Sequence, residues 1–480
     1  MANLLASLLS SASTLDAYSR VLETAQNNVS NASTPGFAKQ RQDLYALPFN
    51  SENGASGGVR AGALENSRNE YAEQAVRQQT QQMGYQQQLV DSLSALQTQF
   101  DISGNQGIPY ALNNLLQSFS AWATAPNDQA TRQTVLNQAQ AVAASFQRTA
   151  AAAGSQAKDA EQQIRDTVNQ INQIVGQLAA YNKIALQGNK GDAGLSANMY
   201  AALDQLSQLV DATARFEPDG SVTLMLNGQT PLLEGDEQFK LSTTLYQPQD
   251  PPPAYPNAPA SVELQASDGS DITSQTTGGQ LGALLNVRNQ VLASFIGDAY
   301  QPGDLNTMAK QFGDRVNQIF TSGHISDGPP PVAGVPLFTY DATNDAAAAQ
   351  TLAVDPNVTT DQMATIDPGP PYVSNGVPLA LSQLASPVQV ADKIDGVSYS
   401  QYFGQLAGRV GGQLNEAQNG AEVQQSLLSQ AKDLRQQYSG VSLDEEATIL
   451  IEFQRAYQAN SKLITVLDQL TQAAISLIQP

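Results

Sequence analysis

Cysteine is absent from the 480 residues, and histidine occurs once, as His324. Disulfides, zinc thiolate centres, iron–sulfur clusters and cysteine nucleophiles are excluded by that absence, and His-rich metal sites with them. Charge is scarce as well: 14% of residues are Asp, Glu, Lys or Arg, against about 25% in an average soluble protein. What charge there is falls on one side, with 44 acids, 23 bases and a formal net of −21. Such a chain lacks the clustered cations that neutralise phosphates, so no nucleic acid is expected as a partner. No segment offers the roughly 18 apolar residues of a spanning helix, so no membrane insertion is expected either. The apolar opening, Met1 to Ser13, has no basic stretch before it and the first cation is Arg20. It reads as mature helix rather than a cleaved signal. No His-Glu-x-x-His motif and no glycine-rich phosphate loop occur, so no cofactor is implied and an enzyme is the least supported class.

Apolar residues make up 41% of the chain, enough for real cores in what its length suggests are about three domains. Proline divides it: of 24 prolines, 8 lie in residues 216–275 and 10 in 326–395. Helices are expected outside those windows. The same windows hold 17 acids and 2 bases, −15 of the net −21, and should face solvent. In the first, Ser221 to Thr230 alternates and turns at Asn227-Gly228, a β-hairpin signal. The triple prolines at 251–253 and 329–331 read as stiff connectors. Residues 65–102, 109–122, 128–188, 199–214, 280–320 and 400–437 are rich in Ala, Leu and Gln and predict helices, with kinks allowed at Gly154 and Gly176.

Both ends of the chain carry seams. Leu4, Leu8, Ser11, Leu15, Tyr18, Leu22, Ala25 and Val29 alternate at spacings of four and three, as do Ile449, Phe453, Ala456, Asn460, Leu463, Leu467, Leu470, Ala474 and Leu477. These are heptad patterns that predict paired coiled-coil helices. A parallel row, Leu450, Tyr457, Ile464, Thr471 and Ile478, makes the C-terminal apolar face wider than two helices need. Ser442 and Glu445 form a capping box at the start of that helix, with Asp444 and Glu446 complementing its dipole. Capping explains this acidic triplet better than metal binding does. His324 reads as an exposed or capping imidazole, and Trp122 as a core anchor at a helix end.

The N-terminal helix stops in Asn27-Asn28-Val29-Ser30-Asn31-Ala32-Ser33-Thr34-Pro35-Gly36-Phe37, where Asn31, Pro35 and Gly36 shape the turn. A heptad helix closing in this way resembles the axial proteins of the bacterial flagellum, the rod, hook and hook-associated proteins. Gly440-Val441-Ser442-Leu443-Asp444-Glu445-Glu446-Ala447, Phe453-Gln454-Arg455-Ala456-Tyr457-Gln458-Ala459 and Lys462-Leu463-Ile464 are similar to the C-terminus of the hook-associated members. Thr277-Gly278-Gly279-Gln280-Leu281-Gly282-Ala283-Leu284-Leu285 and Arg288 agree with them. The likeness covers roughly 1–215, 277–325 and 398–480.

The resemblance implies an α+β multidomain fold. Its parts are a terminal coiled-coil core (1–36 and 440–480), an elongated helical bundle (37–215, 276–325 and 396–439) and one or two β-rich, acidic outer domains (216–275 and 326–395). It implies a structural adaptor at the hook–filament junction, exported by the flagellar type III apparatus and joined to copies of itself. Hook protein would lie below it and hook-associated protein 3 above, with a cytosolic export chaperone on the C-terminal helix before secretion. The assembly surface would be Leu4, Leu8, Leu15, Tyr18, Leu22 and Val29 with Ile449, Phe453, Tyr457, Asn460, Leu463, Ile464, Leu467, Leu470 and Leu477. Another rod, hook or hook-associated protein, and an adhesin-like outer domain, are the alternatives.

Overall fold

The computed structural model describes residues 2–50, 55–100, 107–189, 191–249, 253–328 and 330–476. Helix α1 (Ala2–Ser30) leads into a hairpin of β1 (Gln40–Ala46) and β4 (Val59–Asn66), whose tip holds the short strands β2 (Phe49–Asn50) and β3 (Ala55–Ser56). Helices α2 (Glu70–Gln97), α3 (Gly107–Thr124), α4 (Gln129–Ile184) and α5 (Ala193–Leu209) follow. Strands β5 (Ala212–Phe216), β6 (Val222–Leu226), β7 (Thr230–Glu234) and β8 (Glu237–Gln238) form an antiparallel meander, and β9 (Ser242–Tyr246) pairs with β10 (Ser261–Gln265). Then come α6 (Gly279–Asn286), α7 (Leu292–Ile296) and α8 (Asp304–Ser322). The second proline window contains strands of two or three residues, β11 (His324–Ser326) to β14 (Ala353–Val354), together with α9 (Ala348–Thr351) and α10 (Gly376–Ser382). Two long helices close the chain, α11 (Tyr399–Ser439) and α12 (Leu443–Ser476). Among the described residues no helix is long and apolar enough to cross a membrane.

These elements form two compact units, one of Met1–Met83, Ile171–Phe239 and Gln424–Pro480, the other of Gly84–Gln170 and Lys240–Val423. Residues 216–275 are therefore divided between the units. In the first unit Asn182 is fully buried and works as a backbone clamp: its Nδ2 donates to Val222 O at 2.8 Å and its Oδ1 accepts from Val222 N at 2.8 Å. The clamp fixes the meander whose inward residues Val222, Leu224, Leu226, Leu232 and Leu233 have no exposure. The β6–β7 turn places Asn227 at φ 47° and Gly228 at φ 68°, the paired positive angles of a type I′ hairpin that Asn-Gly adopts at low cost.

The second unit is built around α3, whose Ile108, Ala111, Leu112, Leu115, Leu116, Phe119, Trp122 and Ala123 fall on one face at helical spacing and are buried. Trp122 stacks on Phe320 with centroids 5.9 Å apart and donates from its indole to Pro126 O at 3.2 Å. Arg288, 3% exposed, donates to Glu161 at 2.7 Å and to Ala260 O at 2.6 Å. A buried cation is tolerable on those terms, paired and hydrogen-bonded. His324 opens β11, half-buried, with its ring edge against Tyr372.

Three features depart from the sequence-based expectation. The β1–β4 hairpin occupies a stretch assigned to the helical bundle; its strand residues Gln40-Arg41-Gln42-Asp43 are polar, so no apolar alternation marks them. Helix α4 continues unbroken through Gly154 and Gly176, since a single glycine costs a helix only about 1 kcal/mol. The window 326–395 is turn-rich rather than strand-rich. Its prolines lack the N–H groups a ladder needs.

Candidate assembly interface

Helix α1 is clasped on two sides, and this decides which of its residues are covered. On one side the hairpin reads its hydroxyls: Val59 N donates to Thr14 Oγ1 at 3.0 Å, and Ser13 Oγ donates to Val59 O at 3.4 Å. Thr14 itself donates to Ser10 O at 2.9 Å, and Ser10 Oγ donates to Gly57 O. On the other side lies α12. The most buried line is thus Ser11, Thr14, Ala17, Val21, Ala25 and Asn28. Leu4, Leu8, Leu15, Tyr18 and Leu22 are half-buried and Val29 is exposed, one residue round the helix from the covered line.

Two contacts join the terminal helices side chain by side chain. Tyr18 meets Phe453 edge-on, centroids 5.5 Å apart at 68°, and Asn460 Nδ2 donates to Ser11 O at 2.7 Å. Along α12 Leu450 is half-buried, as is the line Ile449, Phe453, Ala456, Asn460, Ile464, Leu467, Thr471 and Ala474. That line follows 3.6 residues per turn, whereas a strict heptad drifts about 20° per repeat around a straight helix. Ile464 and Thr471 therefore take the inward places, and Leu463 and Leu470, 50% and 53% exposed, turn outward with Tyr457. Leu477 lies outside the described residues. Leu443, Ile451, Val466 and Ile475 are exposed as well, at different positions round the helix. A cleft of about 650 Å³ is lined by Ser10, Thr14, Tyr18, Leu463, Val466 and Leu467 of the helix pair and by Ser56, Gly58 and Val59 of the hairpin.

The turn after α1 is anchored by polar groups. Asn28, 1% exposed, donates from Nδ2 to Gln40 O at 2.8 Å and accepts from Gln40 N at 2.9 Å. Asn31 donates to Asn27 O at 3.0 Å and accepts from Thr34 Oγ1 at 3.1 Å. Pro35 is exposed, while Gly36 has φ 73° and a Cβ there would lie 2.2 Å from Ala197 O; only glycine fits that backbone and that approach. Lys39 N then donates to Ser439 O at 2.9 Å, and its Nζ sits 2.9 Å from Glu445 and 3.5 Å from Glu446. Ser442 accepts from Glu445 N at 3.4 Å, so it caps α12. The Glu445 carboxylate holds Lys39.

Behind the turn lies a buried ionic network. Arg68 donates to Gly36 O at 2.6 Å and to Glu73 at 2.7 Å, and its guanidinium lies 3.6 Å over the Tyr200 ring. Arg435 bridges Glu73 at 3.4 Å and Asp204 at 2.7 Å. The Tyr200 hydroxyl donates to Glu70, and burial, reinforced by that carboxylate, pushes its pKa well up from 10.0.

Sequence reasoning named the apolar residues of the seams and missed Thr14, Asn28, Lys39 and Glu446. Glu446 left a trace: it stands three and seven residues before Ile449 and Phe453, an acid in the phase of the inward face and 1% exposed. Thr14 leaves none and Asn28 only its place in the asparagine cluster, because their partners are backbone atoms of a hairpin that the sequence does not announce.

Residues 93–338 match the family model of the flagellar hook-associated protein FlgK helical domain, and residues 434–477 match that of the flagellar basal body rod FlgEFG protein C-terminal region. The flagellar hook-associated protein 1 of Bacillus subtilis (strain 168) is 26% identical over 492 residues, covering 96% of each chain. The structure of the flagellar hook junction protein FlgK from Burkholderia pseudomallei superposes with a TM-score of 0.63 at 14% identity, over 77% of this chain and all of that one. At that identity the likeness is one of fold.

Proposed function

We propose, for a chain that belongs to the flagellar hook-associated protein FlgK family, the role of a structural adaptor between hook and filament in the bacterial flagellum. The observation that carries it is the paired α1 and α12 with an apolar stripe left over: Leu463, Val466 and Leu470, at spacings of three and four, are about half exposed on a helix whose inward line is already engaged. Contiguous exposed apolar surface marks a contact surface, and a wide stripe on a terminal helix suits a subunit completed by its neighbours. The relatives are flagellar structural proteins, and the role proposed here is structural, without catalysis. Neighbouring copies, hook protein and hook-associated protein 3 are the proposed occupants of that surface, after export through the type III apparatus with a chaperone on α12. The terminal segments 1–36 and 440–480 form the proposed inner core, and the acidic windows 216–275 and 326–395 its outer region. Immunogold labelling of intact flagella tests the reading. Gold confined to the hook–filament boundary is expected; gold along the filament, or none on flagella, overturns it.

A further inference from the structure

One pocket of the second unit is walled by aromatic and acidic side chains. It measures about 420 Å³, and Tyr246, Glu263, Asp271, Arg288, Asp298 and Tyr300 are among its lining. Polar groups already spent fix its shape. Asn289 donates from Nδ2 to Val262 O at 2.8 Å and accepts from Val262 N at 2.9 Å, and Asp298 accepts from Tyr300 N at 2.8 Å and from Gln301 N at 3.1 Å. Tyr246 and Tyr300 nonetheless stay 41% and 54% exposed. Tyrosines mounted on a fixed backbone suit a contact, since each offers a large area for little lost freedom.

The charges of the pocket are unbalanced. Arg288 is the one cation in its lining, against Glu263, Asp271 and Asp298, and it is already paired with Glu161 at 2.7 Å. No cation acts on Glu263: burial raises its carboxyl above the ordinary value, and the like charge of Asp271 adds to the rise. Arg288 is an independent pointer. It is 3% exposed, with Nε and Nη2 spent on Glu161 and Nη2 also on Ala260 O at 2.6 Å, while Nη1 donates to no described residue. That nitrogen is not sealed from solvent as Arg77 Nη1 is, so an oxygen seated in the pocket can reach it. A buried guanidinium N–H without an acceptor is costly, and such an oxygen relieves the cost.

We infer that this pocket binds a lysine or arginine residue on an exposed segment of a partner protein, its cationic head between Glu263, Asp271 and the two tyrosine faces and a main-chain carbonyl accepting from Arg288 Nη1. The two halves of the pocket exclude simpler ligands. A plain anion would satisfy Arg288 and be repelled by three carboxylates, and a plain cation would leave Nη1 bare. A basic residue within a peptide brings a positive donor and a neutral acceptor together, and a cation is attracted to the face of a tyrosine ring. Charge argues against a second copy as the source, because each copy carries a net −21 and like-charged surfaces repel. The partner is a different, basic protein, and its binding does not depend on the junction role.

Calorimetric titration of the purified full chain tests this with three probes: acetyl-Gly-Arg-Gly amide, its neutral citrulline analogue, and agmatine, which has the guanidinium without a carbonyl. The arginine peptide should saturate a single site. The citrulline peptide should bind about tenfold or more weaker, the effect of losing one charge-assisted contact, and agmatine should fall between them. Glu263→Gln should weaken both cationic probes by a similar factor. Tyr300→Ala, at an exposed position whose backbone N–H still reaches Asp298, should weaken them too, so that misfolding is not the explanation. Arg288→Lys can still pair with Glu161 but has no Nη1, and should weaken the peptide while leaving agmatine unmoved; a merely structural Arg288 would move both or neither. Failure of the arginine peptide to saturate, equal binding of the citrulline peptide, agmatine as tight as the peptide, or affinities unmoved by Glu263→Gln each overturn the inference. Self-association of the chain that Glu263→Gln reverses also overturns it, since a second copy would then fill the pocket.

Discussion

At the scale of single residues, the first unit hangs on polar side chains that satisfy backbone. Asn28→Ala would strand the N–H and the carbonyl of Gln40 in a buried place, at a cost of about 2–4 kcal/mol, read as a lower urea midpoint. Asn28→Asp should recover only part of it, because one carboxylate oxygen still accepts from Gln40 N while the other faces the Gln40 carbonyl. Glu73 is a second such point. It is 1% exposed and holds Arg68 at 2.7 Å and Arg435 at 3.4 Å, so Glu73→Gln leaves buried guanidinium charge uncompensated. Breaking a buried pair costs about 3–5 kcal/mol, and the same melts should show it. Neither residue was legible as important beforehand. Asn28 belongs to a cluster whose turn-forming role was plain, but its partner lies twelve residues on, across a turn whose geometry only the fold supplies. Gly36 was legible, because Pro-Gly after an asparagine cluster has few other uses than to stop a helix and turn the chain.

At the scale of elements, the long helices were readable because apolar spacing survives the scarcity of charge: α3 has its buried residues where a 3.6 period puts them. The short strands of the first unit were readable only where a turn signature flanks them, as Asn227-Gly228 does for β6 and β7. The phase of the terminal helices came out one residue or so from the heptad, since that reading assumes a supercoil around one partner while α1 serves both α12 and the hairpin. The packing of α5 against β5 has a consequence that can be titrated. Tyr200 stacks on Phe216 with centroids 4.6 Å apart, and burial and then Glu70 raise its pKa above the ordinary 10.0. A folded pKa above the unfolded one means that the stability is fully present below about pH 10 and is lost as pH climbs further, because only the unfolded chain then gives up the proton readily. Melts of the wild type should fall across that range, and Tyr200→Phe should flatten part of the fall while losing about 1 kcal/mol at neutral pH with its hydroxyl bond. Tyr399, pushed up to about 12 by burial, and Tyr85, Tyr340 and Tyr402, which burial also raises, should leave the remaining slope. An unchanged slope in Tyr200→Phe would refute the assignment.

At the scale of the whole molecule, the question is whether the surface that pairs α1 with α12 and the surface that joins subunits are the same. The exposures say they are different faces of one helix. Leu467 is half-buried and lines the hairpin cleft with Tyr18, whereas Leu470, next to it round the helix, is 53% exposed. Leu467→Asp therefore puts a carboxylate into a contact the isolated chain already makes, and should lower its stability by an amount on the order of the 2–5 kcal/mol of a large-to-small core change. Leu470→Asp changes an outward position of the isolated chain and should move its melt by no more than about 0.5 kcal/mol. In the flagellum the ranking should close up: the outward stripe is then buried against a neighbour, an ionised carboxylate in place of Leu470 would have to be desolvated without a partner, and filaments should be lost in both variants. Three readouts separate the cases, namely the amount secreted, the melt of the purified chain, and filaments per cell. Leu470→Asp with normal secretion, a normal melt and few filaments places assembly on the outward face. Normal filaments in that variant would show that the stripe is surplus apolar surface and would move the assembly contact to the inner face, while a drop in secretion alone would assign Leu470 to the export chaperone.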